Sequence, residues 1–242
     1  MNLMKKIFLT IGLLASATAF ASDEAPTGST MVANPQAAYF TQDGKVKVQQ
    51  FLWNECIHCY KLEPYVDQWN KVNADYIDFE QIPVAWSEKH IKDGSFYNYA
   101  KVLRKTGKIN DQELVDINNE LFKIGVVERK GLKSETVFPI FEKYGIKTAD
   151  DLDKAVNSFV TSNEISKSKK LTKDYEIEGV PVFVIAGKYL VSFQSIKEAT
   201  PVELFSTIDR IAETEHKNSV GNVKETETIV KDEAKPTDTV SK

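Results

Sequence analysis

The order of hydrophobic and polar residues near the start of the chain predicts a strand, a helix and a second strand. Residues 45–53 begin with period-two alternation and become continuously apolar, as in a strand that enters the middle of a sheet. From Cys56 onward apolar residues recur at helical spacing, and residues 76–84 alternate again. The two strands are therefore expected to pair in parallel, joined by the helix.

Beyond the second strand the pattern becomes helical. Between residues 95 and 175 the apolar positions keep a helical spacing, and glycines divide the stretch into short helices. The dividing residues are Gly107, Gly125, Gly131 and Gly145. Strand patterns at residues 180–185 and 189–191 flank a Gly-Lys turn, so an antiparallel hairpin is expected there.

The chain is expected to end in a helix followed by a polar tail. Thr200 is a suitable N-cap, Pro201 suits the first helical position, and Glu203 completes a capping box. Past Ala212 there is no aromatic residue, and Lys, Glu, Thr, Asp and Pro dominate. Because such a segment buries too little surface to offset its ordering entropy, residues 213–242 are predicted to be disordered.

The N-terminus has the pattern of a cleavable secretory signal. Lys5 and Lys6 precede an apolar run at residues 7–20, which ends in an Ala-Phe-Ala sequence before polar residues. An uncleaved anchor is the alternative, but the run is shorter than the ~20 apolar residues that span a bilayer. We expect residues 1–21 to be removed, residues 22–38 to form an N-terminal extension, and the product to be periplasmic without stable membrane insertion.

The charge of the mature chain weighs against nucleic acid as a partner. Removing the signal would leave 29 basic and 35 acidic residues, a net charge of −6. Nucleic-acid binding normally requires a basic surface that neutralises phosphates.

The two cysteines of the chain, Cys56 and Cys59, form a CxxC motif between a strand and a helix. The unpaired N–H groups and the dipole of a helix N-terminus stabilise a thiolate, so Cys56 is the expected nucleophile and Cys59 the resolving thiol. A charged His58 would lower the pKa of Cys56, whereas Glu55 would raise it. The sequence leaves the balance of these two effects open.

Two other readings of the cysteine pair are weaker. A zinc site normally takes four ligands, and no second Cys or His cluster exists in the sequence. A structural disulfide that closes so short a loop would restrain little chain entropy. A redox-active disulfide, with no metal and no other cofactor, is therefore expected.

An export signal, a strand that ends in Cys-Ile-His-Cys, a long helical segment and a Val180-Pro181 pair before a hairpin together resemble the DsbA family of disulfide oxidases. The resemblance covers residues 39–212. It implies an α/β, thioredoxin-like fold whose central mixed β-sheet is interrupted by an inserted all-helical domain. The thioredoxin-like domain would comprise residues 39–90 and 175–212, and the helical domain residues 91–174.

The same resemblance implies a function and a set of site residues. The chain would pass its disulfide to newly translocated polypeptides with free thiols, through a mixed disulfide, and a membrane reoxidase of the DsbB type would restore it; a monomer is expected. The site residues that the resemblance implies are Cys56, His58, Cys59, Val180 and Pro181. The Val180-Pro181 bond is expected to be cis and to present its backbone to substrate.

Other positions near the motif match the family or depart from it. Glu63 matches an acidic position and is a candidate proton relay. Ile57 replaces the usual proline and would add a bulky side chain to the substrate-binding surface. Gln50 stands where the family often has a buried acid. Together with Glu55, these departures motivate the hypothesis that the protein is a weaker oxidant than the family norm.

Two further functions stay open at this stage. A disulfide isomerase or reductase resembling the DsbC and DsbG group would carry an N-terminal dimerisation domain and usually threonine before the cis-proline. This chain has about 24 residues between Ser22 and the first strong strand, and Val180 at that place. The other alternative is a specialised periplasmic folding or assembly factor for one partner, with the tail as a tether.

Overall fold

The computed structural model describes residues 24–35, 41 and 43–233, and beyond residue 220 only the backbone. The expected signal at residues 1–21 lies outside the described residues. Within the described part, no helix combines the length and the apolar character needed to cross a membrane.

A mixed β-sheet forms the centre of the molecule. Its strands are β1 (Thr30–Met31), β2 (Val46–Leu52), β3 (Ile77–Pro83), β4 (Val182–Ile185) and β5 (Tyr189–Val191). Their order across the sheet is β1-β5-β4-β2-β3, with β2 and β3 parallel and the other pairs antiparallel. The parallel pair and the hairpin agree with the sequence prediction. Strand β1, in the expected N-terminal extension, was not predicted, because two residues are too short for a pattern.

Seven α-helices surround the sheet in the described part of the chain. They are α1 (Ile57–Val72), α2 (Glu88–Lys105), α3 (Asp111–Phe122), α4 (Ser134–Phe141), α5 (Ala149–Val156), α6 (Phe159–Asp174) and α7 (Pro201–Glu233). Helices α2 to α6 lie between β3 and β4 in the chain. The predicted fold class, a mixed sheet interrupted by a helical insertion, is confirmed.

Side chains on both faces of the central strands are buried. Val48 of β2 packs with Leu62 of α1 and Ile208 of α7 on one face, whereas Phe51 of β2 packs with Leu171 of α6 on the other. This two-sided burial explains why β2 is apolar at consecutive positions near its end. The helical insertion has a core of its own, which includes Phe96, Leu121 and Phe141.

Helix α7 begins where the sequence predicts but ends much later. The Glu203 N–H donates to the Thr200 hydroxyl at 3.2 Å, which is one half of the expected capping box. The helix then continues to Glu233, so the prediction of disorder from residue 213 is wrong as far as the structure describes the chain. Residues 234–242 lie outside the described part.

Contacts with strand β5, the residue before it and the residue before β3 explain why α7 continues past Ala212. Glu215 is buried and accepts hydrogen bonds from Lys188 at 2.6 Å and from the Tyr189 hydroxyl at 3.3 Å. The His216 ring stacks on Tyr76, with 4.5 Å between centroids. Polar residues that looked like tail in the sequence therefore gain partners from the fold.

Candidate active site

The end of β2 and the start of α1 bring the two cysteines together. Cys56 is the N-cap of α1, and its Sγ accepts a hydrogen bond from the Cys59 N–H at 3.4 Å. Both cysteines are free thiols; Cys56 is half-buried, whereas Cys59 is fully buried. The Cys56 Sγ also lies 3.7 Å from the Val180 carbonyl oxygen, and the Val180-Pro181 peptide bond is cis. The motif and the Val-Pro pair, 124 residues apart, thus form one site.

The surroundings separate the acidities of the two thiols. The pKa of Cys56 is lowered to about 6, first by the hydrogen bond from the Cys59 side chain, then by the N–H groups of Cys59 and His58 and by the charge of His58, against the effect of burial. Burial is the main cause that raises the pKa of Cys59 far above that of an ordinary thiol. At neutral pH Cys56 is therefore a thiolate and Cys59 keeps its proton.

Glu55 does not present a free negative charge to Cys56. Its carboxylate forms an ion pair with Lys89 at 2.6 Å and accepts the Leu132 N–H at 3.3 Å. Lys89 also pairs with Asp93 at 2.6 Å, and Asp93 accepts a hydrogen bond from the Trp53 indole at 3.0 Å. Glu55 was expected to raise the pKa of Cys56, and its ion pair with Lys89 offsets that effect.

A groove opens beside the cysteines, between α1 and the β4–β5 hairpin. It encloses about 1050 Å³, and its lining includes His58, Tyr65, Val180, Pro181 and Phe193. The side chain of Ile57, at the first position of α1, is 44% exposed. Of the residues expected to contact substrate, Ile57 is exposed, Val180 is half-buried and Pro181 is buried, and all three lie near Cys56.

Glu63 lies one helical turn beyond Cys59 and is only 2% exposed. Burial, with a contribution from Asp67, raises the pKa of its carboxyl to about 7. Three side-chain amides oppose this shift: Gln50 donates to Oε1 at 3.2 Å, and Gln81 and Asn118 each donate to Oε2 at 2.9 Å. The carboxyl group can therefore exchange a proton close to neutral pH.

The helical insertion covers the buried cysteine. Phe122 and Val126 pack with Cys59 and Leu52, at a π-helical turn that spans Lys123–Val127. Turns of this kind are frequent at functional sites. The sequence singled out Gly125 only as a break between helices, and no local pattern marked the neighbouring hydrophobic residues as part of the site.

The backbone of Gly125 approaches the segment that leads to Cys56. A β-carbon at this position would overlap the Asn54 carbonyl oxygen and lie 3.1 Å from the Glu55 Cγ. Only glycine allows this approach without displacement of the backbone. The insertion is thus in direct contact with the residues that position the nucleophile.

The charged and sulfur-containing groups of the site do not assemble into a metal centre. In the part of the chain that the structure describes, no three His, Cys, Asp or Glu side chains are close enough together to hold a metal ion. The chemistry that the site offers is that of the cysteine pair.

An activated thiolate at a helix N-terminus, a buried partner thiol and a facing cis-proline on a mixed sheet define the class of thioredoxin-like thiol-disulfide oxidoreductases. The family model described as a DSBA-like thioredoxin domain matches residues 74–206. The chain belongs to the DsbA family, and it is a disulfide-forming protein oxidoreductase.

Individual relatives support this assignment over most of the chain. The thiol:disulfide interchange protein DsbA of Burkholderia cepacia is 30% identical over 191 residues, which cover 78% of this chain and 85% of the relative. The protein of the same name from Pseudomonas aeruginosa is 28% identical over 218 residues, with 88% and 97% covered. A crystal structure of a P. aeruginosa DsbA variant superposes with a TM-score of 0.66 at 25% identity, covering 80% and 98% of the two chains. These matches do not favour the isomerase or assembly-factor alternatives.

Proposed function

We propose that the protein donates a Cys56–Cys59 disulfide to newly exported polypeptides in the periplasm. The observation that carries the proposal is the contrast between the two thiols: the exposed side of the site holds a thiolate with a pKa of about 6, and the buried side holds a thiol that keeps its proton. A lowered pKa favours the reduced, charged form of the pair, and a stable reduced form makes the disulfide a stronger oxidant.

The transfer takes place in two exchange steps. A substrate thiolate attacks the Cys56 sulfur of the disulfide, the bond to Cys59 breaks, and Cys59 leaves and takes up a proton. A second substrate thiol loses its proton and attacks the substrate sulfur of the mixed disulfide, which releases Cys56 as a thiolate. The substrate loses two electrons and two protons; one proton stays on Cys59 and the other enters the solvent, because Cys56 remains ionised at neutral pH.

The surface beside Cys56 would hold the substrate. The Val180 carbonyl, 3.7 Å from the Cys56 sulfur, is available to an extended substrate backbone beside the Pro181 ring. The exposed side chain of Ile57 extends this surface with apolar area, and His58 supplies positive charge when protonated. These contacts suit unfolded polypeptides, whose backbones are free to pair.

Glu63 would serve as the proton relay for Cys59. Residues at positions i and i+4 lie on the same side of a helix, and the charge of Glu63 contributes to the raised pKa of Cys59. When Cys59 leaves as a buried thiolate, a carboxyl group with a pKa of about 7 can supply the proton that it needs and later take it back.

The partners follow from the same chemistry. The protein acts on other proteins, and each turnover leaves it reduced, so a reoxidant must exist; we propose a membrane partner of the DsbB type. We further propose that the chain works as a monomer after its signal is removed. The support is the N-terminal sequence pattern and the family assignment.

The hypothesis of a weaker oxidant stays a prediction with a narrower basis. The ion pair between Glu55 and Lys89 removes one of its reasons, and Ile57 and Gln50 remain. Equilibration of the purified protein with glutathione buffers of known ratio would measure the reduction potential. The hypothesis predicts a value below that of the B. cepacia relative measured side by side, and an equal or higher value would reject it.

Oxidation of reduced, unfolded ribonuclease A tests the proposed function. We expect the oxidised protein to introduce disulfides in stoichiometric amounts, while a variant with both Cys56 and Cys59 changed to serine introduces none. Scrambled ribonuclease A serves as the parallel substrate. Reactivation of the scrambled form by the reduced protein, faster than oxidation of the reduced form, would favour an isomerase instead.

A further inference from the structure

We propose that Asn118, on a helix of the inserted domain, is a positioning residue for the cysteine site. It holds the Glu63 carboxylate and the Asn54 side chain in one hydrogen-bonded arrangement, and so connects the insertion to both sides of the CxxC motif. The proposal rests on the role proposed above for Glu63. It makes the ionisation state of Glu63 depend on a side chain 55 positions away in the sequence.

Both ends of the Asn118 amide are engaged. The side chain is 1% exposed, and its Nδ2 donates to the Glu63 Oε2 at 2.9 Å and to the Gln81 Oε1 at 3.3 Å. Its Oδ1 accepts from the Asn54 Nδ2 at 2.7 Å. Reversal of the amide would turn an oxygen toward the carboxylate and an NH₂ group toward the Asn54 donor. An ionised Glu63 therefore fixes the orientation of Asn118.

Asn54 depends on this single bond. It is buried, two residues before Cys56, and its Oδ1 has no hydrogen-bond partner among the described residues. An unpaired buried carbonyl is costly, so the remaining bond from Nδ2 to Asn118 is what keeps the side chain in place. The backbone oxygen of Asn54 is also the atom that a β-carbon at position 125 would meet first, so the insertion contacts this residue on two sides.

The other amides around Glu63 have fixed orientations as well. Gln81 Nε2 donates both to Glu63 and to the Gln50 Oε1, each at 2.9 Å, and the Tyr97 hydroxyl donates to the Gln81 Oε1 at 2.8 Å. Three N–H donors thus converge on the carboxyl oxygens. These hydrogen bonds favour the carboxylate over the carboxylic acid and so hold the pKa of Glu63 below the value that burial alone would give.

The charged groups around Glu63 do not stabilise its carboxylate as the hydrogen bonds do. The titratable groups that face it are Cys59 and Asp67 on α1 and Tyr97 on α2, and each of them is neutral or negative. Among the described residues, strands β2 and β3 and helix α3 contact the Glu63 carboxyl through the neutral amides of Gln50, Gln81 and Asn118. Hydrogen bonds, rather than a cation, therefore oppose the burial of the charge, and the loss of one donor should make Glu63 harder to ionise.

Asn118→Leu tests the proposal, because leucine has a similar volume and no hydrogen-bonding group. The readout is the pH titration of the Glu63 carboxyl carbon by NMR in the reduced full chain, together with the pH–rate profile of disulfide exchange. We expect both midpoints to rise by roughly one pH unit or more, the shift that the loss of a hydrogen bond to a charged group produces. An unchanged midpoint would overturn the proposal. If the leucine variant does not fold, Asn118→Ala removes the same bonds with a smaller side chain that has no hydrogen-bonding group, and the same outcomes apply.

A matched control and a second variant separate the possible failures. Asn98→Leu removes another buried asparagine of the insertion, whose contact is Ser168, so it should lower stability without moving the Glu63 midpoint. A shift of the Glu63 midpoint of equal size in this control would mean that any loss of packing in the insertion has the same effect, and it would reject the proposal.

Glu63→Gln tests the proposed proton relay itself. An unchanged pH–rate profile in that variant would reject the relay, while the NMR midpoint still decides the role of Asn118.

Discussion

Changing Cys59 to serine is expected to convert the catalyst into a trap that accumulates as a mixed disulfide with its substrates. In this variant the Cys56 thiolate attacks a disulfide already present in an exported protein, the Cys56–substrate disulfide forms, and one substrate sulfur leaves as a thiolate. Without Cys59 there is no internal thiol to displace the substrate, so the mixed disulfide persists until another thiol attacks it. Turnover should fall by about three orders of magnitude or more, as is usual when a reacting group is removed. The measurement is a non-reducing gel of the exported protein pool, probed for this chain.

The matching Cys56→Ser variant is the control. It should lose turnover to the same extent but form no mixed disulfides, because Cys59 is fully buried and its raised pKa keeps it protonated. Mixed disulfides of comparable abundance in both variants would contradict the assignment of Cys56 as the nucleophile and Cys59 as the resolving thiol.

Gly125→Ala is expected to be the most damaging small substitution outside the cysteines. The added methyl group would overlap the Asn54 carbonyl oxygen, so either the π-helical turn or the segment before Cys56 must move. Overpacking of this kind costs about 1–3 kcal/mol, and the better helix propensity of alanine returns up to about 1 kcal/mol. We expect a net loss of about 1–2 kcal/mol in the free energy of unfolding by urea, and faster alkylation of Cys59 in the folded protein.

Gly179→Ala provides the matched control. This glycine is exposed and lies outside the left-handed backbone region, and apart from its two chain neighbours a β-carbon there would meet no atom within 4 Å. Its effect on stability should stay within about 0.5 kcal/mol, as for other surface substitutions. Equal losses in the two variants would show that the close approach of the insertion at Gly125 has no special importance.

The parts of the fold that the sequence predicted are those defined by local patterns. The strands at 46–52 and 77–83 each carry their own periodicity and lie within one residue of the predicted bounds at both ends, and the helix begins one residue after Cys56. The start of α7 at Pro201 was predictable for the same reason, since a capping residue and a first-turn proline are adjacent in the chain.

The end of α7 depends on contacts that no local pattern reveals. Glu215 and His216 look like tail residues in the sequence, but in the fold they meet Lys188 and Tyr76 from distant segments. Tertiary contacts of this kind override composition, and they explain why the predicted tail boundary was wrong.

Some residues of the candidate site could likewise be identified from the sequence, and others only from the fold. Cys56 and Cys59 could be identified from spacing alone, and the family resemblance added the Val180-Pro181 pair, whose cis bond and proximity to Cys56 agree with expectation. The amides around Glu63 could not be found, because Gln81 and Asn118 are ordinary polar residues until the sheet register and the insertion bring them together. Gln50, interpreted from the sequence as a missing acid, is instead a hydrogen-bond donor to Glu63.

The central claim is that the fold turns Cys56 into a stable thiolate, and the pH titration of thiolate absorbance in the reduced protein tests it most directly. The Cys56→Ser variant, titrated in parallel, removes the contribution of tyrosines and of Cys59. The account predicts a single inflection near pH 6 that is absent from the variant. An inflection near 8.5, the ordinary value for a free cysteine, would contradict it.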